Sequence, residues 1–82
     1  IYSAQQTQDF MAWTYETGIY YKCSGWLGPQ LIEVFDLNGN LVVAKEINGN
    51  ESGIIPLNES ATGIYLLRFS CGEFQQIQKI SR

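Results

Sequence analysis

The sequence predicts an all-β fold, a β-sandwich of about seven antiparallel strands, and three observations predict it. Runs of five to eight residues rich in Ile, Val, Tyr and Phe recur along the 82-residue chain between Gly, Asn and Pro. Windows with apolar residues at i, i+3, i+4 and i+7, the mark of an amphipathic helix, are absent. No linker or low-complexity stretch divides the chain, so 1–82 reads as one small domain, and short strands at regular spacing suit a sandwich.

The strands are expected at 8–15, 18–23, 30–36, 41–47, 52–57, 63–70 and 74–80. In the second, Ile19, Tyr21 and Cys23 alternate onto one face. The third and fourth are joined by Asp36-Leu37-Asn38-Gly39, the best-defined turn in the chain. Asp first and Gly fourth favour a type I turn followed by a left-handed residue, the three-residue hairpin with a bulge. In that register Phe35 faces Leu41, Val34 faces Val42 and Ile32 faces Ala44. Ile32, Val34, Val42 and Ala44 then form the inner face, with Glu33 and Val43 on the other side. A second Asn-Gly-Asn at 48–50 turns the chain into the fifth strand. In the sixth, Tyr65, Leu67, Phe69 and Cys71 share a face.

Composition excludes several function classes. The net charge is −3, and the five cations Lys22, Lys45, Arg68, Lys79 and Arg82 form no basic stripe, which argues against nucleic acid. No apolar run approaches the roughly 18 residues that cross a bilayer as a helix. The chain opens on Ile1 without a charged n-region or apolar h-region, so it is expected to be a piece of a longer protein.

No catalytic or metal constellation emerges, and no cofactor is expected. With no His, a Ser-His-Asp or Cys-His pair cannot form. The carboxylates Asp9, Glu16, Glu33, Asp36, Glu46, Glu51, Glu59 and Glu73 spread along strand exteriors and turns. Asp36, Asn38 and Asn40 have the one-three-five spacing of a calcium loop. Leu41 then stands where its glycine is needed and Ile47 where its bidentate Glu is needed, so the hairpin turn is the better reading. Cys23 and Cys71 lie too far apart for a C-x-x-C motif; two buried thiols, a disulfide or a reactive thiol all fit. Phe10, Trp13, Tyr15, Tyr20, Tyr21 and Trp26 either fill the core or form a stacking platform. Asn50-Glu51-Ser52 and Asn58-Glu59-Ser60 match the N-glycosylation acceptor pattern; in a bacterial protein such matches would be coincidental products of Asn- and Ser-rich turns.

Three stretches carry a family resemblance. Ile32-Glu-Val-Phe-Asp-Leu-Asn-Gly-Asn-Leu-Val42 resembles the V-x-V-Y-D-x-x-G-R-x-V hairpin of the type IX secretion C-terminal sorting domains. Thr62-Gly-Ile-Tyr-Leu-Leu-Arg68 resembles their S-G-I-Y-x-x-R strand, and Gln78-Lys-Ile-Ser-Arg82 their short basic terminus. The three occur in the family's order over about fifty residues. Asn40 departs from the Arg or Lys usual after the turn glycine, and Ser60 from an apolar position.

The resemblance implies an immunoglobulin-like sandwich at the end of a secreted protein of a Gram-negative bacterium. It would take an N-terminal cargo through the periplasm and across the outer membrane to the cell surface. The implied partners are an outer-membrane translocon and a sortase-like peptidase, and the domain itself is not an enzyme. Gly63, Tyr65, Lys79 and Arg82 are the implied recognition residues, with Asp36 and Gly39 building the turn. The competing function is an accessory adhesion or carbohydrate-binding module.

Overall fold

Seven strands form in the computed structural model: β1 (Asp9–Tyr15), β2 (Gly18–Ser24), β3 (Pro29–Phe35), β4 (Leu41–Asn48), β5 (Glu51–Pro56), β6 (Ile64–Cys71) and β7 (Phe74–Ser81). The structure describes residues 8–15, 18–57 and 63–81. Arg82, Glu16, Glu59, Ser60, Thr62 and the pattern at Asn58 lie outside the described residues. The elements are all β and all pairings antiparallel, as expected.

Two sheets face each other, ordered β1-β2-β5 and β4-β3-β6-β7. The chain changes sheet between β2 and β3, between β4 and β5, and between β5 and β6, the Greek-key connectivity of an immunoglobulin-like sandwich. Alternation along each strand supplies the core between them. Phe10, Ile19, Tyr21 and Ile55 enter from one sheet, and Ile32, Val34, Leu67, Phe69 and Ile80 from the other. One end is filled by aromatic rings. Phe10 stacks on Phe69 at 4.2 Å between centroids, and Trp26 packs edge-on against Phe69 at 4.9 Å. The indole Nε1 of Trp26 donates to the Asp9 carbonyl at 2.9 Å, so the polar end of this ring is satisfied as well.

Close approach dictates two glycines. A Cβ on Gly18 would sit 2.4 Å from the Ile55 carbonyl oxygen. Gly53 lies under the Tyr21 ring, whose hydroxyl reaches past it to donate to Glu51 Oε2 at 2.6 Å. Burial, and then this bond to a carboxylate, push the Tyr21 phenol well above its ordinary range. Gln30, fully buried, is satisfied through Nε2 to the Gly28 carbonyl at 2.9 Å and the Cys23 thiol against its Oε1 at 3.5 Å.

The β3–β4 hairpin has the expected turn and a different inner face. Gly39 has φ +87°, its N–H donates to the Asp36 carbonyl at 3.0 Å, and Phe35 pairs with Leu41. A further bulge then intervenes between Val34 and Phe35, so Val34 pairs with Val43, not Val42, and Ile32 with Lys45, not Ala44. Val42 is 42% exposed and Ala44 is exposed, while Val43 packs against the core. The far end of the strand explains the shift. Without this bulge Glu46 would face inward beside buried Gln30 and Ile47 would face out. With it Ile47 is buried and Glu46 exposed. Burying an Ile side chain is worth about 2–3 kcal/mol, and a carboxylate is spared desolvation. Those gains outweigh one irregular ladder step.

Candidate recognition surface

The residues singled out from the sequence do not all meet. Gly63 immediately precedes β6 at φ +119° with open space where a Cβ would lie, so backbone conformation and not crowding selects glycine there. Tyr65, two residues on, points into the core opposite Ile80 and is buried. Lys79 lies on the other side of the same sheet, exposed, across from Leu66.

Asp36 anchors the hairpin end of that outer side. Its Oδ1 accepts the backbone N–H groups of Asn38 and Asn40, each at 2.9 Å, and Asn40 Nδ2 donates to Oδ2 at 3.3 Å. The Asn40 amide, with the other turn donors, holds the Asp36 carboxyl below its ordinary range. Both oxygens are therefore committed to the turn. Among the described residues no three His, Cys, Asp or Glu converge as a metal site.

Beside this turn, outward positions of β3, β6 and β7 line a groove of about 220 Å³. Phe35, Leu37, Leu66 and Ile77 make its apolar wall. Arg68 crosses it, paired to Glu33 Oε1 at 2.8 Å through Nη2 and 2.9 Å through Nε, with its guanidinium 5.2 Å from the Phe35 ring centroid. Glu33 and Arg68 are direct cross-strand partners, which is why the pair closes on itself. The sequence reading named Glu33 as outward but passed over Leu66 and Ile77. Their signal was present: if Tyr65, Leu67 and Phe69 face in, Leu66 and Arg68 must face out.

The aromatic cluster divides between the two readings. Phe10, Tyr21 and Trp26 are core. Trp13 is 41% exposed on the outer side of the smaller sheet, but one face of its ring stacks on Tyr20 at 4.8 Å and 29°. The Tyr15 side chain lies outside the described residues. Both cysteines are free thiols. Cys23 is buried, which pushes its thiol up, and its Sγ also contacts the Glu51 carbonyl at 3.4 Å. Cys71 is half-buried, with Sγ 3.3 Å from the Leu27 carbonyl.

Comparison with known proteins adds a family. A model described as a secretion system C-terminal sorting domain matches residues 19–81. No curated protein and no solved structure matches the chain.

Proposed function

The chain belongs to the secretion system C-terminal sorting domains, and from that premise we propose how it is read. It is a C-terminal sorting signal for type IX secretion, a label linked to a cargo and recognised by the type IX machinery for export to the cell surface. The family is not an enzyme family. The adhesion or carbohydrate-binding alternative is not supported: the family model that matches is a sorting domain, and Trp13 already stacks one ring face on Tyr20.

In our reading, residues 1–82 are the terminal domain of a larger secreted protein whose cargo lies N-terminal to it. An outer-membrane translocon passes the cargo out of a Gram-negative periplasm, and a sortase-like peptidase then removes the label without any catalysis by this chain. The proposed residues divide by exposure. Tyr65 acts from inside, fixing β6, while Gly63 and Lys79 act at the surface; Arg82, outside the described residues, is proposed with them on the motif alone. The match over residues 19–81 is the observation that carries the reading. Deleting the domain from its own cargo tests it. Cell fractionation should find the truncated cargo retained in the periplasm; cargo still reaching the surface would contradict the role.

A further inference from the structure

We propose that strand β1 is part of the working label although it lies outside the family match, so that the cut freeing the cargo falls N-terminal to Asp9. The match covers residues 19–81, whereas β1 spans Asp9–Tyr15. This rests on the sorting reading, with its removable label, and deepens it by giving the label an N-terminal limit.

A ladder, a ring stack and two hydrogen bonds tie β1 to the rest of the domain. Its whole length pairs with β2, from Asp9 opposite Ser24 to Tyr15 opposite Gly18. Phe10 is buried and covers one face of the fully buried Phe69 ring. The Asp9 carbonyl accepts the Trp26 indole N–H at 2.9 Å, and the Ala12 carbonyl accepts Gln78 Nε2 at 2.7 Å. The second bond crosses from β1 to β7 of the opposite sheet. Without β1 the smaller sheet is reduced to β2 and β5, and a two-stranded ribbon is marginal in water. Phe69 would be uncovered, and the buried Trp26 would lose the acceptor of its N–H. A domain of 82 residues has little core to spare.

The same contacts place the cut. The peptide bond that breaks leaves a new amino terminus on the label, while the cargo acyl group passes to water or to an amine acceptor. A peptidase needs that bond free of the fold, and the bonds of β1 are held in its ladder. A cut after Tyr15 would also leave Asp-Phe-Met-Ala-Trp-Thr-Tyr on the cargo, an apolar strand stripped of its partner and ready to pair with another copy. A cut before Asp9 keeps that strand where it is already paired.

The test uses the full chain fused to its cargo in secreting cells. Surface cargo, the thermal midpoint of the purified domain and the N-terminus of the released label are all measured. Replacing residues 9–15 with a Gly/Ser linker of equal length should unfold the domain and lose surface delivery. Phe10→Ala should shift the folding equilibrium about a hundredfold or more toward the unfolded chain. Met11→Ala, exposed on the same strand, should shift it less than about threefold. A linker variant that stays folded and delivers its cargo overturns β1 as part of the label, as do equal effects at Phe10 and Met11. Mass spectrometry of the released label should place its N-terminus at or before Asp9; a label beginning within β1 or after it overturns the placement of the cut. The sorting function is judged separately, by whether deleting the whole domain keeps the cargo in the periplasm.

Discussion

Two glycines of this chain are required for different reasons, and they separate by substitution. At Gly63 the space is open and the cost is conformational, because φ is +119°. Gly63→Ala should therefore lower stability by about 1–3 kcal/mol. At Gly18 the conformation is ordinary, but a methyl group meets the Ile55 carbonyl. Gly18→Ala should cost a similar amount by forcing β2 and β5 apart. Amide hydrogen exchange distinguishes them, since only the second change should loosen the β2–β5 ladder. Asp36 gives a pH signature. Its carboxyl is held below the ordinary value of about 3.9, so its stabilisation is complete above that value and is lost as pH falls through the lower, folded-state value. Asp36→Asn should flatten the fall of the thermal midpoint in acid, as pH drops below the ordinary carboxylate value of about 3.9. A wild-type slope in that variant would mean that other carboxylates govern acid unfolding. Asp36 and Gly39 were legible from the sequence because a turn is local chemistry. Gly18 was not, because its constraint comes from a strand more than thirty residues away.

At the scale of elements, the β3–β4 hairpin shows where pattern reading stops. Its turn and first pair follow from four adjacent residues, but the second bulge is chosen by Glu46 and Ile47 competing for one buried position. The segment Leu41-Val42-Val43-Ala44 is apolar on both faces, so alternation there carries no information about which side is in. The corrected register has a direct consequence. Val43→Asp should destabilise by several kcal/mol by placing a carboxylate against the core, whereas Val42→Asp should stay within about 0.5 kcal/mol. Equal effects at the two positions would contradict the bulge. The Glu33–Arg68 pair is half-open to water, so a double-mutant cycle should return only about 0.5–1 kcal/mol.

For the whole molecule, the sandwich and all seven strands were legible because period-two alternation and turn residues agree along the chain. The candidate surface was legible only in part. Motif positions pointed to β6 and the terminal strand, but they placed buried Tyr65 beside exposed Lys79, and assembly of the sheet was needed to separate the two sides. The sheet also shows what truncation would do. Removing residues 78–82 takes away core residue Ile80 and the Gln78 Nε2 bond to the Ala12 carbonyl, 2.7 Å, which ties the two sheets at one edge. Loss of delivery after that deletion would therefore mix unfolding with lost recognition, whereas point substitutions on the outer side do not. The central claim is that this domain alone is a sufficient label, and its most direct measurement is transplantation. An unrelated periplasmic reporter carrying residues 1–82 at its C-terminus is assayed for exposure to external protease, in cells with and without the type IX machinery. The account predicts surface exposure only where domain and machinery are both present. Retention of the reporter in the periplasm of competent cells, with the fused domain folded, would contradict it.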